Sequence, residues 1–175
     1  MRKTIAVLSG LMLLLVVNWS IFERERILKN GQLVILELAP IDPRSLMQGD
    51  YMALRFKIAD EIFERAEPKS EMSDGHIVVT LDDRKVGQYP RKATDRPLGT
   101  QEVFLRYRIR NGQVKFATNG FFFEEGRASE YAQARYGEFK VSPSGEMLLT
   151  HLLGESRERL GTSSSSKLEK APSGK

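Results

Sequence analysis

From Thr4 to Phe22 the chain runs nineteen residues without one ionisable side chain, and its centre is Leu11-Met12-Leu13-Leu14-Leu15-Val16-Val17. At about 1.5 Å rise per residue such a helix reaches roughly 28 Å, close to the ~30 Å hydrocarbon core of a bilayer. Asn18, Trp19 and Ser20 lie near its far end, where an aromatic ring favours the membrane interface. A cleaved signal peptide would have a shorter apolar core and a small-x-small exit, and Val17-Asn18-Trp19-Ser20 is a poor one. A buried core helix of this length would show polar positions on one face. A retained signal anchor fits better than either, continuing as helix to Lys29 and stopping at Gly31. Arg2, Lys3 and the α-amino group precede the run, while Glu23-Arg24-Glu25-Arg26 after it is balanced. The positive-inside bias therefore places the N-terminus in the cytoplasm and residues 23–175 in the periplasm or outside the cell.

The net charge of +4 belongs to the two ends. Arg2, Lys3, Lys167, Lys170 and Lys175, set against the single Glu169, account for all of it, so residues 4–161 are neutral. A nucleic-acid groove needs its basic excess on the folded body, which argues against such a partner. With no cysteine there is no disulfide, thiolate metal site or cysteine nucleophile. His76 and His151 are too few and too far apart in sequence for a histidine-rich metal site, and no cofactor is expected.

From Gln32 the texture changes to short β-like runs between turn residues. Gln32–Leu38 is nearly all apolar. Tyr51–Ile58 alternates, with Met52, Leu54, Phe56 and Ile58 on one face, the period of a half-buried strand. Asp60–Met72 suggests a short surface helix or ordered loop. His76–Leu81 and Lys85–Tyr89 read as strands joined through Asp82-Asp83, and Arg91–Gly99 as a polar loop. Gln101–Arg110 sets Val103, Leu105, Tyr107 and Ile109 opposite Phe104, Arg106, Arg108 and Arg110. Asn111-Gly112 then predicts a tight hairpin into Val114–Ala117, because both residues tolerate positive φ. Ala128, Tyr131, Ala132, Arg135 and Tyr136 fall on one helix face, with Gly137 as the stop. Glu138–Val141 and Glu146–Leu152 form a last strand pair around Ser142-Pro143-Ser144-Gly145, and Glu155–Leu160 suggests a helical turn. After Thr162 the chain is polar and reads as disordered. The expectation is a mainly β (α+β) fold: a compact antiparallel domain over residues 32–161 with one or two short helices, preceded by the anchor at 1–31 and followed by a tail at 162–175.

Gly49-Asp50-Tyr51-Met52-Ala53-Leu54-Arg55-Phe56 is the most distinctive string: a Gly-Asp turn feeding a core strand, or a turn that aims Asp50 into a cleft. Arg106, Arg108 and Arg110 make a basic strand face, either simply solvated or set against anionic lipid headgroups. Phe121-Phe122-Phe123 reads as core or as a partner-binding patch. Arg135 breaks the pattern of its own helix face. A charge there needs a carboxylate or water, and Asp42, Asp50, Glu125 and Glu138 are the candidate partners, forming either a structural ion pair or a polar pocket. The string from Asp42 to Tyr51 and the string from Glu125 to Glu138 are therefore expected to meet.

The Gly49–Phe56 string resembles the GDYXXLXY family, with Phe56 where the last Tyr would stand. The likeness takes in Ala39-Pro40-Ile41-Asp42-Pro43-Arg44-Ser45, Phe122-Phe123-Glu124-Glu125-Gly126 and Ala134-Arg135-Tyr136-Gly137-Glu138. The resemblance implies a bacterial membrane-anchored protein acting beside a polytopic membrane protein, and the expected binding or structural polar cluster is Asp42, Arg44, Asp50, Tyr51, Glu125, Arg135, Tyr136 and Glu138. It implies no mechanism. The Gly-Asp turn also looks like that of the serine-lysine signal peptidases, but Ile41 stands where their nucleophile would be, and no lysine can be assigned as base to Ser45. The expected function is a non-catalytic, membrane-anchored extracytoplasmic accessory or binding module, with membrane lipid and a membrane protein as partners. The alternative is a hydrolase using Ser45 or the acidic cluster.

Overall fold

The computed structural model describes residues 2–39, 47–48, 51–65, 73–93, 98–110, 113–118 and 120–161. The expected turn carrying Asp42, Arg44, Ser45 and Asp50, the Asn111-Gly112 turn and the tail after Thr162 lie outside them.

Helix α1 spans Arg2–Asn30 and is long and apolar enough to cross a membrane, with a mean hydropathy of 2.3 over its apolar window. Its large apolar side chains from Ile5 to Phe22 are 47–72% exposed, so no described residue buries them. Only at its far end does the helix meet the body. Ile27 is 5% exposed, the Gly31 amide donates to the Ile27 carbonyl at 2.8 Å, and Lys140 Nζ donates to the Gly31 carbonyl at 3.3 Å. Gly31 alone separates the helix from the first strand, and the helix stops there as its sequence predicts.

The body is built from three antiparallel sheets. Strands β1 (Gln32–Glu37), β9 (Tyr136–Val141) and β10 (Met147–Leu153) form one, with β9 central. Strands β5 (Gly87–Lys92), β4 (Gly75–Leu81), β6 (Glu102–Arg110) and β7 (Gln113–Lys115) lie in that order in the second. The third is small: β2 (Met47–Gln48), β3 (Tyr51–Ala53) and β8 (Gly120–Phe122). Two short helices, α2 (Lys57–Arg65) and α3 (Ala128–Tyr131), complete the described elements. The first two sheets are stitched where Ile35 donates its amide to Lys85 at 2.8 Å, and a bridge between Leu38 and Phe56 ties in the third. All three bury their inner faces in one core containing Val34, Leu36, Met52, Phe56, Val79, Leu105, Phe139 and Leu152. The expected mainly β fold with one core is what the chain adopts.

Several boundaries differ from expectation. The Tyr51–Ile58 strand ends at Ala53, and α2 begins at Lys57, yet Met52, Leu54, Phe56 and Ile58 are all buried as the alternation requires. Phe56 sits 1% exposed, with its ring edge-on to Phe116 at 6.1 Å and Phe139 at 5.4 Å. A dry aromatic core has no use for a hydroxyl at that position. Strand β5 carries Arg91 and Lys92, which the sequence assigns to a loop. Asp82 closes the β4–β5 turn by accepting the amides of Arg84 and Val86, both at 2.8 Å. The Asn-Gly hairpin is framed as expected, with Arg110 paired to Gln113. No helical turn forms at 155–160; Arg159 instead bridges to Leu153.

The largest correction concerns 128–137. The helix stops at Tyr131, and Arg135 lies in extended chain, its amide donating to the Leu153 carbonyl and its carbonyl accepting from Leu38, both at 2.8 Å. Sheet pairing on both sides outcompetes the helix. Gly137 is consequently a strand residue rather than a stop: a Cβ there would lie 3.0 Å from the Phe139 ring, 3.2 Å from Leu149 and 3.2 Å from the Phe56 ring. Glycine is needed at that point because the core closes directly over the backbone.

Candidate functional site

Glu138 is the only charged residue in the buried class among the described residues, 6% exposed at the centre of β9. It stands opposite Ile35 on β1 and His151 on β10, where an irregularity between Leu149 and His151 swings Thr150 and His151 toward it. Its Oε1 lies 3.0 Å from each of Thr150 Oγ1, His151 Nδ1 and an Arg159 guanidinium nitrogen. Arg159 also reaches Oε2 at 3.4 Å. Burial alone would raise the carboxyl pKa, but the hydrogen bonds from Thr150, His151 and Arg159, with the charge of Arg159, outweigh it and hold the group below its ordinary value. The arrangement is a satisfied buried carboxylate. It offers no nucleophile and no open coordination position, and no group of three or more metal-ligating side chains occurs among the described residues.

This geometry separates the expected cluster. Glu138 is buried and paired, but its cation is Arg159, not Arg135. Arg135 is exposed and makes no side-chain ion pair with any described residue, so the expectation that its guanidinium points into the core is wrong. The reason is the short helix: in extended chain, position 135 turns outward. Glu125 is exposed in the loop before α3, and Tyr136 is half-buried at the start of β9. Tyr51 packs its ring 5.8 Å from Phe122 in the small sheet, where β3 pairs with β8; the expected meeting of Asp42–Tyr51 with Glu125–Glu138 falls largely on residues outside those described. Of the three phenylalanines, Phe123 stacks on Tyr131 at 5.4 Å and Phe121 packs against it in a tilted arrangement at 5.0 Å, while Phe122 is 78% exposed. Asp42, Arg44, Ser45 and Asp50 lie outside the described residues.

A second feature was not legible in the sequence. A cleft of about 650 Å³ opens between the second half of α1 and the body. Val16, Trp19, Ser20, Glu23, Arg24 and Ile27 form one wall; Arg106 and Arg108 of β6, the Lys115–Thr118 segment and Glu146–Leu149 form the other. Its surface is divided almost evenly between polar and apolar atoms, and its charged residues are Arg24, Arg106, Arg108 and Lys115 against Glu23 and Glu146. Arg106 pairs with Glu146 at 3.0 Å. The strand alternation exposing Arg106 and Arg108 was readable, but that α1 leans over them was not.

No curated protein and no solved structure matches the chain. The sequence pattern of the GDYXXLXY protein family does, across residues 13–152, from within α1 to the buried end of β10. A match over this share of the chain shows that it belongs to the GDYXXLXY protein family.

Proposed function

We propose that this protein is a non-catalytic, membrane-anchored binding module whose folded domain stands on the extracytoplasmic side of a bacterial cytoplasmic membrane and works with a membrane-protein partner. The observation that carries the reading is the junction of α1 with the body. An apolar helix with its large side chains from Ile5 to Phe22 exposed is untenable in water and is satisfied by lipid. The same helix then runs unbroken into a buried contact at Ile27 and a single-residue link to β1, so the domain is held against the membrane surface rather than hung from a tether. The buried carboxylate is fully used inside the fold, which suits binding and positioning rather than catalysis. Phe122, exposed on an edge strand beside Tyr51, is the natural contact for a protein partner. The test is a photo-crosslinking residue at Phe122 in intact membranes, with the same residue at the exposed Asp83 on the β4–β5 turn as control. A discrete adduct with one membrane protein at Phe122 alone supports the reading; identical patterns at both positions contradict it.

A further inference from the structure

We propose that the cleft between α1 and the β6–β7 hairpin is a headgroup site for an anionic phospholipid. The inference rests on the membrane-anchored reading and names a ligand for it. The first observation is electrostatic. Arg108 and Lys115 are direct cross-strand partners in the β6–β7 register, and both line the cleft. Like charges directly opposite each other destabilise a sheet. Neighbouring cations on this hairpin are neutralised: Arg106 by Glu146 and Arg110 by Asp74 at 3.1 Å. Among the described residues, Arg108 and Lys115 have no side-chain hydrogen bond or ion pair. Two cationic donors held side by side, of which Arg108 reaches the Asp74 carboxylate only through space, form a cradle for one phosphate.

The second observation is position. The opposite wall is the part of α1 where the apolar run gives way to charge, from Val16 and Trp19 to Glu23 and Arg24. A helix spanning a bilayer puts that transition at the headgroup level, with the indole at the interface. The cleft thus opens where phosphates lie, basic on the domain side and apolar on the helix side. Phe116, Met147 and Leu149 continue the apolar lining for the first part of an acyl chain. A soluble anion would use the basic half of this cleft and leave the rest in contact with water.

Trp19 is the single tryptophan of the chain and lines the cleft, which supplies the assay. Full-length protein is reconstituted in phosphatidylcholine–phosphatidylglycerol bilayers in which one or the other lipid carries bromine on its acyl chain near the headgroup, at equal mole fraction. The expected result is that brominated phosphatidylglycerol quenches Trp19 with at least about five-fold preference, the discrimination one basic side chain gives near a charged lipid surface. The double variant Arg108→Gln/Lys115→Gln should lose that preference, while Arg110→Gln should keep it. Equal quenching by the two lipids in the wild type, or a preference that survives the double variant, overturns the proposal. Abolition of the preference by millimolar glycerol phosphate reassigns the cleft to a soluble anion and overturns it too. Absence of quenching by any brominated lipid is a different failure: it removes the membrane-anchored reading itself.

Discussion

The pairing of Glu138 with Arg159 is asymmetric, and the asymmetry makes a measurable prediction. The glutamate side chain is 8% exposed and the arginine 53%, so the two truncations leave different debts. Arg159→Ala leaves a buried carboxylate with only the hydroxyl of Thr150 and the ring of His151 as donors; losing a charge-assisted bond to a buried acceptor costs about 1.5–3 kcal/mol. Glu138→Gln keeps the shape and an acceptor oxygen, and the guanidinium it abandons is half in water. Its cost should be lower, about 1 kcal/mol. The double variant should cost little more than Arg159→Ala alone, because the partners share one interaction. The pH dependence separates this from simple packing. The folded-state pKa of Glu138 is depressed, so its contribution is full above the unfolded value near 4.5 and is lost as pH falls through the folded value. Urea titrations of the four proteins at pH 7 and at successively lower pH would test both points. Arg159→Ala should shed part of the acid-side decline, and Glu138→Gln should remove the Glu138 share altogether. If Glu138→Gln proves more destabilising at pH 7 than Arg159→Ala, the burial argument is wrong.

Two further substitutions probe the corrected region. Arg135→Ala should change stability by no more than about 0.5 kcal/mol in denaturant titration, since the side chain is exposed and has no ion pair with a described residue; a loss above 3 kcal/mol would restore the buried-charge reading. Gly137→Ala should cost about 1–3 kcal/mol by the same measurement, because its Cβ arrives 3.0–3.2 Å from two core rings and a leucine methyl.

What the sequence revealed was whatever a local period encodes. Strand β6 follows its alternation, with Val103 and Leu105 buried and Arg106, Arg108 and Arg110 outside. Met52, Leu54, Phe56 and Ile58 all reach the core even though the last lies in a helix, since the first turn of α2 keeps Ile58 inward. Failure came where distant pairing decides. Residues 128–136 carry a good helical period, but Leu38 and Leu153 claim the backbone of Arg135 from either side. The sequence offers Glu138 only as one of four acids that could partner Arg135, whereas the structure pairs it with Arg159. Its partners arrive through the β9–β10 register and the Leu153–Arg159 bridge, neither of which leaves a mark at position 138. The cleft is invisible for the same reason, its two walls lying 79 or more residues apart in the chain, from Ile27 to Arg106 at the nearest.

The central claim is that α1 crosses a membrane once and presents the β domain on the far side. The chain has no cysteine, so a single introduced thiol reports without background. Asp83 sits exposed on the β4–β5 turn. Asp83→Cys in spheroplasts should react with a membrane-impermeant maleimide to the same extent before and after lysis. Labelling that appears only after lysis would place the domain in the cytoplasm and contradict the account.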